Sequence, residues 1–332
     1  MTSNELSNLK NKEILVTGGC GFIGSEIVKQ LSQIGASVTI IDNLSSGKEK
    51  YIQGLSNVKL ITADLLDNDT IKSAVKDKEY VINNAALPFI PDSYYIPKKF
   101  FDVNVNATIS LALSVIKEKK AKRFVHISSS EIYGTAKYIP MDESHHTTPQ
   151  STYAVSKLAG ERVVFTMYKE HNLPAVIIRP FNSFGPNITQ PYIIPEIIRQ
   201  IEKSDVIKLG NLNAKRDLTY VTDTARGIIL SLVKEGIVGE VINIGSQRSY
   251  SIKEIVSLIA EIMGKEVSLE VDPLRFRPYD VDTLICDYER ATKLLGWKPE
   301  ITVREGLEKT IEWIKKVGFE LSTSYNEKYR MA

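Results

Sequence analysis

Short apolar runs alternate with helical periodicity through the first half of the chain. Glu13-Ile14-Leu15-Val16 is one such run, and Ile23, Ile27 and Leu31 then recur at helical spacing. The pattern predicts a strand, a glycine turn and a helix. Val38-Thr39-Ile40-Ile41 ends at Asp42, Val58-Lys59-Leu60-Ile61 leads to Asp64, and Tyr80-Val81-Ile82 ends in Asn83-Asn84-Ala85-Ala86. A short helix is expected over Asp69 to Val75. Pro97 suits the first turn of a longer one reaching about Lys119, with Val103, Ala107, Leu111 and Val115 on one face. Phe124-Val125-His126-Ile127 and Ala175-Val176-Ile177-Ile178 are buried strands by pattern, and a helical stretch from about Ser151 to Lys169 lies between them. This alternation predicts an α/β fold on a doubly wound parallel sheet.

After Arg179-Pro180-Phe181-Asn182-Ser183-Phe184-Gly185-Pro186 the strict alternation weakens. A helix is expected over Glu196 to Lys203. Arg216 to Val221 is expected as a strand with Asp223 capping the next helix, and Val241-Ile242-Asn243-Ile244-Gly245 as another strand. Ser251 suits the cap of a helix to about Met263, Arg275 to Asp280 is a basic loop holding one acid, and the tail after about Lys316 is polar and expected to fray.

At 332 residues, with 43% hydrophobic and 25% charged positions, the chain has the composition of an ordinary globular protein. A net charge of +2 gives no reason to expect nucleic acid or an anionic membrane as partner. Met1 to Lys12 lacks the layout of a secretory signal, and no apolar run approaches the ~20 residues of a membrane helix. Cys20 and Cys286 make no disulfide framework and no metal-ligand spacing, so no metal is expected and a reducing cytoplasm is.

In doubly wound sheets ligands bind beyond the carboxyl ends of the strands, where Asp42, Asp64, Ala85 and Ser129 all fall. The first turn fits two glycine spacings: Gly18, Gly21 and Gly24, or Gly19, Gly21 and Gly24. Either lets a pyrophosphate rest on the amides of the helix start. Asp42 stands where such sites place a carboxylate on ribose hydroxyls, which favours NAD over NADP. Tyr-x-x-x-Lys occurs four times, but only Tyr153 and Lys157 open a sustained helical pattern. Their spacing puts phenol and ammonium on one face, where the positive charge favours phenolate and a usable base. Ser128, Ser129, Ser130 and Glu131 bring hydroxyls and a carboxylate to the end of the preceding strand. Arg216 and Arg277 suit a diphosphate. His126 is expected in the core, His145 and His146 facing solvent, and Cys20 without an activated thiol.

These motifs together resemble the extended short-chain dehydrogenase/reductases, in the nucleotide-sugar epimerase and dehydratase group. The matching segments are Thr17 to Gly24, Asp42-Asn43, Asp64-Leu65, Asn84-Ala85-Ala86, Asn104-Val105-Asn106, Ser128 to Gly134, Tyr153 to Lys157, Arg179 to Asn182, Arg216-Asp217 and Arg277 to Asp280. The resemblance implies a Rossmann domain over residues 1–180, with about 217–245 returning to it, and a smaller interleaved substrate region over 181–330. It implies Ser129 positioning the substrate alcohol, Tyr153 as base and Lys157 on the nicotinamide ribose. Further NAD contacts are implied at Phe22, Ile23, Asn43 and Ser45, at Asp64, Leu65, Ala85 and Ala86, and at Asn104, Tyr153 and Pro180. Ser130, Asn182, Arg216, Arg277 and Asp280 are implied to hold a nucleotide-diphosphate sugar, with uridine as the expected base. A homodimer through the helices at about 97–119 and 150–170 is also implied.

Asn83 departs from the histidine common before x-Ala-Ala. The dTDP-glucose 4,6-dehydratases carry Asp-Glu where this chain has Ser130-Glu131, and simple 4-epimerases usually carry no acid there. The run through Ala136 most resembles a UDP-N-acetylglucosamine 4,6-dehydratase subgroup. The expected reaction is transient C4 oxidation with Glu131-assisted C5 proton chemistry, giving a 4-keto-6-deoxy sugar or inverting C5. A UDP-hexose 4-epimerase is the alternative, followed by a UDP-glucuronate decarboxylase and a non-catalytic NAD-binding protein.

Overall fold

A computed structural model describes residues 5–319. Most of the tail expected to fray, and the first residues of Met1 to Lys12, lie outside the described residues. The strands β1 (Glu13–Thr17), β2 (Ser37–Asp42), β3 (Val58–Thr62), β4 (Tyr80–Asn83), β5 (Arg123–Ile127) and β6 (Ala175–Pro180) follow the apolar runs. Their side chains alternate between two helical layers, as the two-residue period of a strand requires. Ile14 and Val16 of β1 face one layer and Leu15 the other. Val125 and Ile127 of β5 oppose Phe124 in the same way, as Val176 and Ile178 of β6 oppose Ala175 and Ile177.

The helices are α1 (Phe22–Ile34), α2 (Asn68–Val75), α3 (Pro97–Glu118), α4 (Thr152–His171), α5 (Ile193–Lys203), α6 (Val221–Val233), α7 (Ile252–Met263), α8 (Glu289–Leu295) and α9 (Val303–Val317). Further strands are β7 (Asn182–Phe184), β8 (Val206–Leu209), β9 (Lys215–Tyr220), β10 (Val241–Ile244), β11 (Ser249–Ser251) and β12 (Ser268–Val271). One seven-stranded sheet runs β10-β6-β5-β4-β1-β2-β3 with every pair parallel. Apolar faces of α1, α6 and α8 cover one side of it, and those of α2, α3 and α4 the other. Strand order reverses between β1 and β4, and a crevice opens at their carboxyl ends. β11, β9 and β7 form a second sheet, and β12 pairs with β8. A separate core of Ile197, Ile198, Ile207, Ile255, Leu307 and their neighbours holds this smaller region together. β10 returns to the large sheet, whereas β9 stays in the small one.

Four local features differ from expectation. The helix foreseen to about Lys119 is not uniform: α-helical Pro97–Phe101 and Ala107–Glu118 flank a π-helical turn at Asp102–Asn106. There Asn104 accepts from the Leu87 amide (2.9 Å) and donates to Ser156 Oγ (2.9 Å). A Cβ on Gly160 of α4 would stand 2.6 Å from the Asn104 carbonyl, so the bulge is locked between two neighbours. By length and composition α3 could cross a bilayer, yet Ala107, Leu111, Ala112 and Val115 pack into the core. α5 begins at Ile193 because Pro195 fits within its first turn. Asp223 does not cap α6; its Oδ2 accepts from the amides of Glu300 and Ile301, both at 2.9 Å. Ser251 does cap α7, in a reciprocal box with Glu254.

Candidate active site

Two confluent cavities occupy the crevice. The smaller, about 190 Å³, is lined by Gly18, Gly21, Asp42, Asn43, Ser45, Asp64, Leu65 and Ala85. The larger, about 450 Å³, is lined by Ser129, Ser130, Glu131, Tyr153, Lys157, Pro180, Asn182, Arg216, Arg277 and Asp280. Phe22, Ile23 and Ala86 border both. Gly24 and Asn104 line neither and act from behind the wall.

The smaller cavity is shaped by close backbone approach. Gly18 has φ +67°, and a Cβ there would stand 2.8 Å from Ala85 Cα. A Cβ on Gly24 would stand 2.0 Å from the Gly18 carbonyl oxygen. Gly19 instead packs its back against Ile40, 2.8 Å from a would-be Cβ, so Gly18 and Gly21 line the ligand side of the turn and Gly24 lets α1 close on it from behind. Thr17 Oγ1 accepts from the amides of Asn84 and Ala85, tying β1 to the β4 end. Asp42 accepts from the Cys20 amide at 2.9 Å and the Leu44 amide at 2.8 Å. Burial raises its pKa against the pull of those amides. A carboxylate has about four acceptor positions, which leaves room for two ribose hydroxyls. Asn43 Nδ2 donates to Asp64 at 2.9 Å, and its Oδ1 accepts from the Ser45 amide at 3.0 Å. This donor and acceptor set fits a dinucleotide.

In the larger cavity, β5 and the first turn of α4 present the reactive groups. Ser129 Oγ accepts from the Glu131 amide at 3.2 Å and hydrogen-bonds the Tyr153 phenol. Phe100 meets the Tyr153 ring edge-on at 6.3 Å and holds its plane. Lys157 is 3% exposed and donates from Nζ to the Ile127 carbonyl at 2.5 Å. Burial lowers its pKa to about 8, while Glu161 one turn on supports the charge. The expectation that this ammonium favours phenolate is corrected here. Tyr153 is pushed up to about 12, by burial first and by the Glu131 carboxylate, with Ser129 opposing them. The physical reason is that Lys157 donates to a carbonyl of β5, while burial and the Glu131 carboxylate both disfavour a negative charge on the phenol. Glu131 is 8% exposed, and no hydrogen bond engages its carboxylate among the described residues.

At the far end, Asp280 accepts from Arg216 at 3.2 Å and Arg277 at 3.3 Å, gathering two guanidinium groups. Asn182 lines the same wall, with its Oδ1 buried and unpartnered among the described residues.

Sequence reasoning missed several wall residues. Glu196 accepts from Arg199 and from Arg275, both lining the cavity. The i, i+3 spacing of Glu196 and Arg199, and Arg275 two places before Arg277, were the available signals. Tyr192 and Phe89 also line the wall, with rings edge-on at 5.8 Å, and nothing in their spacing marks them. His145, expected to face solvent, is buried: its Nε2 accepts from the Lys137 amide, and the rings of Tyr133 and Tyr138 flank it. His126 lies in the core, where its Nδ1 meets Asn83 Nδ2 at 3.1 Å. Cys20 is buried with its pKa raised to about 12, which makes it a poor thiolate source.

A family model described as GDP-mannose 4,6 dehydratase matches residues 15–310. The dTDP-D-glucose 4,6-dehydratase of Homo sapiens is 30% identical, covering 92% of this chain and 90% of its own. An epimerase from Methanothermobacter thermautotrophicus superposes with a TM-score of 0.90 at 30% identity, over 95% of this chain and 96% of that one. The UDP-glucuronic acid 4-epimerase of Bacillus cereus, in complex with UDP-glucuronic acid and NAD, gives a TM-score of 0.86 at 30% identity, over 92% of this chain and 99% of its own. Epimerases and dehydratases thus stand at one level of identity, and identity sets no single subgroup apart.

Proposed function

The chain belongs to the extended short-chain dehydrogenase/reductases, the nucleotide-sugar epimerase and dehydratase family, and from that premise we propose its reaction. It is an NAD-dependent enzyme acting on nucleotide sugars. Its substrate is a UDP-linked hexose, and its product a 4-keto-6-deoxy sugar formed through transient oxidation at C4. The observation that carries this reading is Glu131: a carboxylate 8% exposed, unengaged by hydrogen bonds among the described residues, in one cavity with Ser129 and Tyr153.

Bound NAD would supply a reversible hydride acceptor for C4. Gly18, Gly21, Asp42, Asn43, Ser45 and Asp64 would hold its adenosine and pyrophosphate end, and Lys157 its nicotinamide ribose. Tyr153 takes the C4 hydroxyl proton. The groups that ease this are at hand, since Ser129 bonds the phenol and Lys157 keeps two N–H donors beyond the one on Ile127. The C4 ketone acidifies the C5 proton, and Glu131 removes it. Arg216 and Arg277 hold the diphosphate, with Asp280 fixing both guanidinium groups.

A UDP-hexose 4-epimerase is the second reading, favoured by a hydroxyl at Ser130 where an acid would assist elimination. Incubation with a panel of nucleotide sugars in deuterated water separates the two. Elimination gives a 4-keto-6-deoxy product labelled at C5, whereas epimerisation gives C4 inversion with no label there. In Glu131→Gln, C4 oxidation is expected to survive while C5 exchange falls about 10²- to 10⁴-fold. Undiminished exchange removes Glu131 from this role.

A further inference from the structure

Losing a hydroxide from C6 requires a proton, and Ser130 is too weak an acid to supply it. The ionisable groups of the larger cavity can be taken in turn. Glu196 is clamped by Arg199 and Arg275, and Asp280 by Arg216 and Arg277. Lys157 is engaged by the Ile127 carbonyl. Tyr153 serves the C4 hydroxyl, and Glu131 the C5 proton.

Tyr192 remains. Its backbone starts α5, with the amide donating to the Gln190 carbonyl at 2.8 Å and the carbonyl accepting from the Glu196 amide at 3.1 Å. The edge contact with Phe89 steadies its ring at the seam of the two cavities, where a sugar must meet the cofactor. No hydrogen bond engages its hydroxyl among the described residues. Tyr153, Arg277 and Glu131, which come from three separate segments lining the same cavity, act electrostatically on its phenol, as does Asp92.

Resting on the dehydratase reading above, we propose that Tyr192 is the acid of the elimination, donating its phenolic proton to the departing C6 hydroxyl. The C5–H bond breaks, with its proton going to Glu131 and its electron pair into a C4–C5 enolate, which then collapses to form the C5–C6 double bond. The C6–O bond breaks, its oxygen takes the Tyr192 proton, and water leaves. The resulting phenolate recovers a proton from Tyr153, which holds the one taken from the C4 hydroxyl. The substrate therefore loses one water and no oxidant is consumed. Burial raises the pKa of the Tyr192 phenol, so the proton stays in place until the leaving group needs it.

The test is Tyr192→Phe, using the sugar that the wild-type enzyme dehydrates in deuterated water. C5 exchange and NAD affinity should persist while 4-keto-6-deoxy product forms about 10²- to 10⁴-fold more slowly. A 6-deoxy-6-fluoro substrate, whose fluoride departs without protonation, should restore elimination in the variant. Product formation at the wild-type rate overturns the proposal, as does joint loss of exchange and elimination without fluoride rescue. If the wild-type enzyme dehydrates no sugar in the panel, the dehydratase reading itself fails and takes this assignment with it.

Discussion

The two cavities treat their polar groups in opposite ways. Around the smaller one the protein satisfies its own acceptors: both Asp42 oxygens hold backbone amides, Asp64 takes Asn43 and the Leu66 amide, and Thr17 takes two more amides. In the larger one the Glu131 carboxylate, Ser128 Oγ and Asn182 Oδ1 have no hydrogen-bond partner among the described residues, and two arginines converge on one carboxylate. Leaving a buried polar group unmatched costs about 1–3 kcal/mol, so such groups persist where a ligand completes them. The cofactor end is thus a finished cradle, and the substrate end is an unfinished one. Substitutions among the substrate-facing groups of the larger cavity, Lys157 and Pro180 apart, should therefore alter turnover and substrate affinity while leaving cofactor affinity near its original value.

The sharpest way to break this contrast is Tyr153→Phe. Removing the hydroxyl should lower the rate of cofactor reduction by substrate about 10²- to 10⁴-fold, read as single-turnover absorbance. Equilibrium titration should show NAD affinity nearly unchanged; a large loss there would mean the phenol belongs to the cradle. Arg216→Ala comes next in size. Hydrogen bonds to charged groups contribute about 1.5–3 kcal/mol, so KM should rise roughly 10- to 150-fold with kcat less affected. A fall confined to kcat would place Arg216 among the reacting groups and not at the diphosphate.

The same contrast explains how much was legible in the sequence. The cradle is built at strand ends, and strand ends follow from local pattern: Asp42, Asp64 and Ala85 each close an apolar run, and the glycines lie between β1 and α1. The substrate end is assembled from β5, β7, β9, the start of α5 and the loop before Asp280, segments far apart in sequence. Arg216 and Arg277 could be suspected only through their chemistry, and Tyr192 not at all. The π-helical turn at Asp102–Asn106 was also hidden, because its cause is Asn104 bonding Leu87 and Ser156 across tertiary contacts. His145 was misjudged for a similar reason: a polar loop sequence does not reveal that Tyr133 and Tyr138 close over it.

The smallest expected effect tests whether Lys157 completes the cradle. Its folded pKa is lowered to about 8, against about 10.4 for a free lysine. If its ammonium holds the nicotinamide ribose, NAD affinity should halve near pH 8 and fall about tenfold per unit beyond it. Fold stability should move the other way. Between about pH 8 and 10.4 the unfolded chain binds more protons at this site than the folded one, so the contribution of Lys157 to stability rises with pH there and is lost as pH falls through 8. Titration of NAD from pH 7 to 9.5, set beside urea unfolding over the same range, reads both slopes. Lys157→Met should flatten the binding profile, whereas wild-type affinity that stays constant across this window would leave the cofactor held by the glycine turn and Asp42 alone.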